Sequence, residues 1–131
     1  MNKVVIDTNV LVSALWSQNG NANKIIRMIP EKTIIPYFCQ KILSEYKRVL
    51  IRPKINFTML EVNELLRVLL LHGIEINTKT SLIPFSDESD RIFYDTAIDS
   101  DSILITGNIK HFPSKPFIIT PVEFLRMNRE R

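Results

Sequence analysis

The sequence has little cysteine and histidine: of its 131 residues, only Cys39 is a cysteine and only two are histidines. A single cysteine cannot form an internal disulfide, and no cluster of cysteine and histidine indicates a zinc site. This usage predicts a reducing, cytoplasmic location. No apolar run approaches the ~18 residues of a transmembrane helix, so no membrane partner is expected. The first apolar segment is interrupted by Asp7 and lacks the features of a signal peptide.

Composition is otherwise ordinary for a globular protein, with 45% hydrophobic and 24% charged residues. A chain of this length predicts one domain, residues 1–131, that buries enough apolar surface to fold without disulfides. The formal net charge of +3 is compatible with binding to nucleic acid but is not specific to it.

Short apolar segments alternate with segments of helical periodicity along the chain. Strands are predicted at about residues 3–6, 33–35, 74–76, 102–105 and 117–119. Helices are predicted at about residues 8–15, 22–29, 38–51, 58–73, 86–99 and 121–127. Pro36 is expected to close the second strand, and Thr58 with Glu61 resembles a capping box. This alternation predicts an α/β fold whose parallel sheet is covered by helices on both faces.

Asp7 stands at the junction of the first strand and the helix that follows it. In a parallel α/β sheet, the carboxyl ends of the strands form the edge where ligands bind. An acid buried there is costly unless it is capped, paired or bound to a cation. For this residue alone, a helix N-cap and a functional carboxylate are both open interpretations.

Two further acids are not fully explained by their local context. Glu45 falls on the border of its helix's apolar stripe, beside Phe38 and Val49, although an ordinary salt-bridged glutamate is the alternative. Asp90 opens a helix, where acids are favourable in any case, but it shares a face with Phe93. Three carboxylates without paired histidine or cysteine favour Mg²⁺ or Mn²⁺ over zinc. Such a cluster with a basic rim is compatible with a nuclease.

Around these acids the sequence resembles the PIN domain family, the ribonuclease fold of VapC-type toxins in prokaryotic toxin–antitoxin pairs. The first motif of that family is similar to Val-Ile-Asp-Thr-Asn-Val-Leu-Val-Ser-Ala at residues 5–14. The second is similar to residues 44–46, the third to residues 90–93, and the fourth to residues 103–108 continuing through His111. The match spans about residues 3–112, and the first and fourth motifs are the specific ones.

The resemblance implies a three-layer α/β/α sandwich around a parallel sheet of four or five strands. It implies metal-dependent endonucleolytic cleavage of RNA, with Mg²⁺ or Mn²⁺ held by the catalytic residues Asp7, Glu45, Asp90 and Asn108. It also implies a homodimer and a small antitoxin protein that covers the active site. The fourth motif often carries aspartate where this chain has Asn108. The site therefore lacks one charge, and a second ion would be held weakly.

Neighbouring residues are predicted to support this site. Asn9 is expected to hold a carboxylate in its ligating rotamer. For Thr106, donation to a carboxylate or a phosphate and an ordinary place at the end of a strand are both open interpretations. Thr8 directly follows the first acid, and an ordinary helix start is the alternative for both Thr8 and Asn9. The candidates for RNA contact, each of which is also an ordinary solvated side chain, are Lys110, His111 and Arg48.

Two more acids lie close to Asp90 in the sequence. Asp87 lies about 60° from Asp90 around the helix and is placed to assist it. Asp95 lies about 140° from Asp90 and is expected to be solvated.

Two other functions fit parts of the pattern. Asn108 also allows a catalytically degenerate PIN domain that binds RNA or a protein without cutting, although the three remaining acids favour catalysis. A phosphatase of the haloacid-dehalogenase type also opens with an apolar strand and an acid, but it needs a second acid where this chain has Asn9. The leucine-rich run at residues 65–71 is either deeply buried or a surface for a dimer or an antitoxin.

Overall fold

A five-stranded parallel sheet forms the centre of the protein, in a computed structural model that describes residues 2–129. The strands are β1 Asn2–Ile6, β2 Ile34–Phe38, β3 Ile74–Glu75, β4 Ile103–Ile105 and β5 Ile118–Ile119. They lie in the order β3-β2-β1-β4-β5, and every neighbouring pair is parallel. The predicted parallel sheet is confirmed, with β1 at its centre.

Helices complete the three-layer α/β/α arrangement that the sequence predicted. They are α1 Thr8–Trp16, α2 Asn21–Arg27, α3 Gln40–Leu50, α4 Met59–His72, α5 Arg91–Ser100 and α6 Pro121–Arg129. Two short 3-10 turns, Glu88–Asp90 and Ile109–His111, precede α5 and follow β4. Within residues 2–129, every helix is too short or too polar to cross a membrane.

The pairing of β1 with β4 brings together two distant parts of the sequence. Ile6 pairs with Ile105, and the amide of Asp7 donates a hydrogen bond to the Ile105 carbonyl over 2.9 Å. Residues 4–6 are fully buried, as expected for a central strand covered on both faces. The residues that follow the two strands, Asp7 and Thr106, therefore lie side by side at the carboxyl edge of the sheet.

The second strand is longer than predicted, and it delays the start of the next helix. β2 runs through Pro36 to Phe38, and α3 begins only at Gln40. The predicted strand end at Pro36 and helix start at Phe38 are therefore wrong. β3 pairs with Tyr37 and Phe38 and holds both in an extended conformation. β3 is only two residues long and pairs with Tyr37 and Phe38 but not with Pro36. The proline therefore needs no amide hydrogen on the side of β2 that faces β3.

The end of α4 approaches β2 so closely that only glycine fits at Gly73. A Cβ atom at this position would lie 2.4 Å from the Leu69 carbonyl oxygen and 2.6 Å from the Phe38 ring. Both separations are far below ordinary contact, and neither the helix backbone nor the buried ring can move away easily. This contact explains why the predicted end of the helix is a glycine.

The leucine-rich run of α4 divides between the core and the surface. Leu65, Leu66 and Leu69 are buried, whereas Leu70 and Leu71 are exposed. The helix therefore packs one face against the protein, and its exposed side carries leucines beside the ion pair of Glu64 and Arg67.

The capping box predicted at the start of α4 is confirmed. The Thr58 hydroxyl accepts a hydrogen bond from the Glu61 amide, and the Glu61 carboxylate accepts one from the Thr58 amide. We expect Thr58→Ala to lower the free energy of unfolding by about 1 kcal/mol, because the first turn loses the hydroxyl that satisfies one of its amides. Urea denaturation measures the change. Thr33→Ala, at an exposed loop residue, is the control, and equal losses in both variants would contradict the prediction.

Candidate functional site

Asp7 directly follows β1 and is almost entirely buried, with 6% of its surface exposed. The Thr106 hydroxyl donates a hydrogen bond to Asp7 Oδ2 over 2.7 Å, and the Thr8 amide also donates to this carboxylate. Asp7 occupies the N-cap position of α1, but within residues 2–129 its side chain makes no capping hydrogen bond. The N-cap interpretation therefore does not account for this carboxylate, and the predicted contact of Thr106 with an acid is present.

The surroundings of Asp7 oppose its negative charge. Burial raises the pKa of Asp7 to about 6, well above the ordinary value of 3.8. That value is the balance of all contributions: the charge of Asp90 acts in the same direction as burial, whereas the hydrogen bonds from Thr106 and Thr8 and the charge of His111 lower the pKa. Asp7, Asp90 and His111 therefore share one electrostatic environment, in which an added positive charge would favour the ionised form of Asp7.

Asp90 supplies a second carboxylate from the 3-10 turn before α5. Its Oδ2 atom is buried and has no hydrogen-bond partner among the described residues, and Nδ1 of His111 lies 3.6 Å away. Burial raises the pKa of Asp90, the charges of Asp87 and Glu45 raise it further, and His111 opposes the rise. A buried carboxylate oxygen without a donor is energetically costly, so this atom is available to a cation or a ligand donor.

Glu45 lies on α3, and its side chain is 19% exposed, in agreement with its predicted place at the border of the apolar stripe. Nη2 of Arg48 lies 2.6 Å from Oε1 of Glu45, and Nε of Arg48 donates to Oε2 over 3.1 Å. Glu45 still raises the pKa of Asp90, so its charge acts on the same site. Arg48, predicted to contact RNA, is in this structure a partner of Glu45.

Tyr46 is a functional candidate that the sequence did not reveal. Its side chain is buried, and its hydroxyl donates a hydrogen bond to the carbonyl of Ile6, the residue before Asp7. Burial raises the pKa of the Tyr46 hydroxyl well above its usual range, and the charge of Asp7 adds to the rise. The apolar stripe of α3 predicted the burial of this ring, but periodicity gives no signal for the partner of the hydroxyl.

The loop after β4 is held by Asn9 and Thr106. Oδ1 of Asn9 accepts a hydrogen bond from the Gly107 amide over 3.1 Å, and the Asn108 amide donates to the Thr106 hydroxyl over 3.0 Å. Asn9 was expected to hold a carboxylate, and this bond to a backbone amide assigns it to the loop instead. Asn108 is exposed and lines a small cavity of about 190 Å³ with Asn9 and Ser13. The Asn108 backbone is therefore bonded to the threonine that holds Asp7. The small cavity that Asn108 lines, however, is not lined by Asp7, Glu45 or Asp90.

Three other predicted residues lie at the rim of the site. The His111 side chain is 54% exposed and lies beside Asp90. Lys110 precedes it on the same turn and is exposed. Asp87 is also exposed and caps its turn by accepting hydrogen bonds from Ser89. His111 is therefore the predicted RNA contact that lies beside Asp90, and Asp87 influences Asp90 through its charge.

Asp95 differs from its predicted state. It was expected to be solvated, but only 4% of its surface is exposed. Its Oδ2 accepts a hydrogen bond from the Ser81 amide over 3.0 Å. The segment of residues 77–81 crosses α5 and covers this side of the helix, since Thr78 also bonds Thr96 and the Lys79 amide donates to Asp99. Helical geometry placed Asp95 correctly relative to Asp90 but contained no information about this covering segment.

Residues 3–110 match the family model of the PIN domain. The chain belongs to the PIN domain family. MJ1680, an uncharacterized protein of Methanocaldococcus jannaschii, is 37% identical over 109 residues, which cover 81% of this PIN domain and 70% of that protein. A chain in the crystal structure of VapBC2 from Rickettsia felis has the same fold, with a TM-score of 0.60. In that structure VapBC2 is bound to a DNA fragment from its promoter. That match has 17% sequence identity and covers 90% of this chain and 96% of the other.

This PIN domain contains the carboxylate donors that a hard cation prefers, but they do not yet converge. Within residues 2–129, no three histidine, cysteine, aspartate or glutamate side chains are grouped to hold one metal ion. Asp7 and Asp90 fit such an ion, because both acids have raised pKa values, Asp7 is buried, and Asp90 has a buried oxygen without a partner among the described residues. Glu45 is turned toward Arg48. Glu45 is therefore engaged by a half-exposed arginine rather than by the other two acids.

The raised pKa of Asp7 predicts a specific dependence of stability on pH. With a pKa of 3.8 when unfolded and about 6 when folded, Asp7 binds its proton more tightly in the folded state. Its contribution to stability is therefore fully present below about pH 4 and is lost as the pH rises through about 6. A shift of this size corresponds to about 3 kcal/mol. In the presence of a chelator, we expect Asp7→Asn to remove this part of the loss of stability with rising pH. Urea denaturation across this pH range measures the free energy of unfolding.

Asp101→Asn is the matched control for this measurement. Asp101 is exposed and adopts a left-handed conformation with φ of 54°, which asparagine also tolerates. The free energy of unfolding of Asp101→Asn should fall with rising pH as that of the wild type does. A decline of undiminished size in Asp7→Asn would show that Asp7 does not have a raised pKa in the folded protein.

Proposed function

We propose that this PIN domain is a metal-dependent endoribonuclease that hydrolyses phosphodiester bonds in RNA. The proposal rests on the electrostatic coupling of three acids: Asp90 raises the pKa of Asp7, and Glu45 raises the pKa of Asp90. Acids that disfavour one another's charge in a buried site are stabilised by a divalent cation. The position at the carboxyl ends of parallel strands is also the usual place for a ligand in this class of fold.

The proposed ligands of Mg²⁺ or Mn²⁺ are Asp7 and Asp90, joined by Glu45 when it leaves Arg48. Asn108 remains a candidate ligand from the loop after β4, because its backbone is bonded to the same threonine as Asp7. When bound, the ion would act as a Lewis acid toward a phosphate oxygen and make a water molecule more acidic.

The protein's own side chains position the reacting groups. Thr106 and the Thr8 amide fix the carboxylate of Asp7, and Tyr46 fixes α3 against the end of β1. Lys110 and His111 lie on the turn beside Asp90, and we assign them to binding the phosphates of RNA. Arg48 joins them once Glu45 is released, so it has both a resting partner and a proposed role with substrate.

We further propose that the protein is the toxin of a toxin–antitoxin pair that acts in the cytoplasm as a homodimer. Two observations support this assignment: the four motifs that resemble those of the PIN domain family, and the fold that the chain shares with VapBC2. A small antitoxin would cover the acidic site. Exposed leucines on α4, among them Leu60 with 80% of its surface exposed, give the protein an apolar surface of the kind that a protein partner covers.

Cleavage of a mixed, structured RNA substrate in Mg²⁺, Mn²⁺ or EDTA tests the nuclease proposal. We expect the wild type to produce fragments only with a divalent cation. Asp7→Asn keeps the shape of the side chain but removes its charge, and we expect it to lose activity by at least about 100-fold. Thermal denaturation with and without Mn²⁺ gives a second measurement. The ion should raise the melting temperature of the wild type and not that of Asp7→Asn.

Asp101→Asn, at the opposite end of β4, is the control and should cleave RNA as the wild type does. Equal fragmentation by wild type and Asp7→Asn would identify a contaminating nuclease and contradict the proposal. An intact RNA that the wild type still binds in EDTA would instead favour the catalytically degenerate PIN domain.

A further inference from the structure

A cavity of about 330 Å³ lies beside the proposed active site, between the start of α3, the segment after β3 and the start of α5. We refer to it as the α3–α5 cavity. Lys41 in its wall is one helical turn from Glu45, and Arg91 in its wall directly follows Asp90. Because four residues of helix span only about 6 Å, the segments that line the cavity also carry Glu45 and Asp90 within a short distance of it.

Asp95 gives the α3–α5 cavity an acceptor without a donor. It lines the cavity, and its Oδ1 atom is buried with no hydrogen-bond partner among residues 2–129. The neighbouring guanidinium of Arg91 is already occupied, since Nε and Nη2 bind Glu88 and Nη1 binds Ser81. Buried polar atoms in native proteins rarely lack a partner, so the donor for Oδ1 is left for a bound ligand to supply.

The remaining walls suit a flat, polar heterocycle. Ile76 and Ile92 provide apolar surface, Asn77 and Thr78 provide hydrogen-bonding groups, and Lys41 provides a positive charge. The volume falls within the range of small-molecule sites and is large enough for a nucleoside. A base in this position would belong to a nucleotide whose neighbour occupies the acidic site.

We propose that the α3–α5 cavity binds the nucleobase next to the scissile phosphate, with Asp95 accepting N–H groups from its Watson–Crick edge. This inference rests on the proposed cleavage of RNA. Guanine is the expected base because its edge places two N–H donors side by side. Uracil is the least favourable, because its single N–H lies between two carbonyl oxygens that a carboxylate repels. The cavity thereby directs cleavage to phosphates beside guanine.

Binding of nucleoside monophosphates to the full chain in EDTA, measured by titration calorimetry, tests this inference independently of cleavage. We expect GMP to bind about tenfold more tightly than UMP, with AMP and CMP between them. Asp95→Asn should abolish the difference between GMP and UMP. The asparagine amide has no negative charge and only one oxygen acceptor, so it cannot accept both N–H groups of guanine. Thr80→Trp, at an exposed residue of the cavity wall, should fill the cavity and weaken GMP binding without altering Asp95.

Asp99→Asn is the matched control. Asp99 lies one turn beyond Asp95 on α5, and its carboxylate accepts the Lys79 amide over 2.8 Å, so it anchors the same covering segment from outside the α3–α5 cavity. This variant should keep the preference for GMP. Equal affinity of the wild type for GMP and UMP, equal losses in Asp95→Asn and Asp99→Asn, or unchanged binding in Thr80→Trp would each overturn the inference.

Cleavage of RNAs with a single guanine or a single uracil at one position separates the two proposals. Selective GMP binding without any cleavage would refute the nuclease and leave the base site standing. Cleavage without a preference at guanine would refute the base site and leave the nuclease standing. Loss of affinity for a protein partner in Asp95→Asn, with the preference for GMP unchanged, would assign the cavity to that partner and overturn the inference.

Discussion

A hydrogen bond from Thr106 to Asp7 holds a carboxylate inside the protein at the point where two parallel strands end. Burial disfavours the charged form of this acid, and the donors around it offset only part of that cost. The same Thr106 hydroxyl accepts the Asn108 amide, so one side chain fixes both the acid and the loop beside it. The site is therefore ordered before any ligand arrives, yet it is electrostatically incomplete and gains stability from a positive partner.

Tyr46 extends this order to a second layer of the fold. Its hydroxyl binds the carbonyl of Ile6, which ties the helix that carries Glu45 to the strand that precedes Asp7. Glu45 itself stays adjustable, because its partner Arg48 is largely exposed and surface ion pairs contribute little to stability. Asp7 is therefore fixed by buried contacts, whereas Glu45 is held by a side chain that can move without repacking the core.

The sequence contained enough to predict the sheet and the places of Asp7 and Asp90, because local periodicity, strand ends and helix starts specify these features. The family was predicted separately, from motifs that resemble those of PIN domains. It did not reveal the burial of Asp95, which depends on a separate segment crossing α5. The extension of β2 past Pro36 likewise depends on pairing with β3. Such features arise from contacts between distant segments, and periodicity within one element carries no information about them.

The bond between Asp7 and Thr106 joins residues 99 positions apart, and this separation has a consequence during synthesis. Thr106 leaves the ribosome 99 residues after Asp7, and the neighbouring strand β4 emerges directly before Thr106. Contacts of such long range form late, because a large loop must close before they can contribute. An incomplete nascent chain therefore lacks an assembled acidic site. A cell translating this protein would not be exposed to the proposed nuclease before Thr106 has been synthesised and β4 has paired with β1.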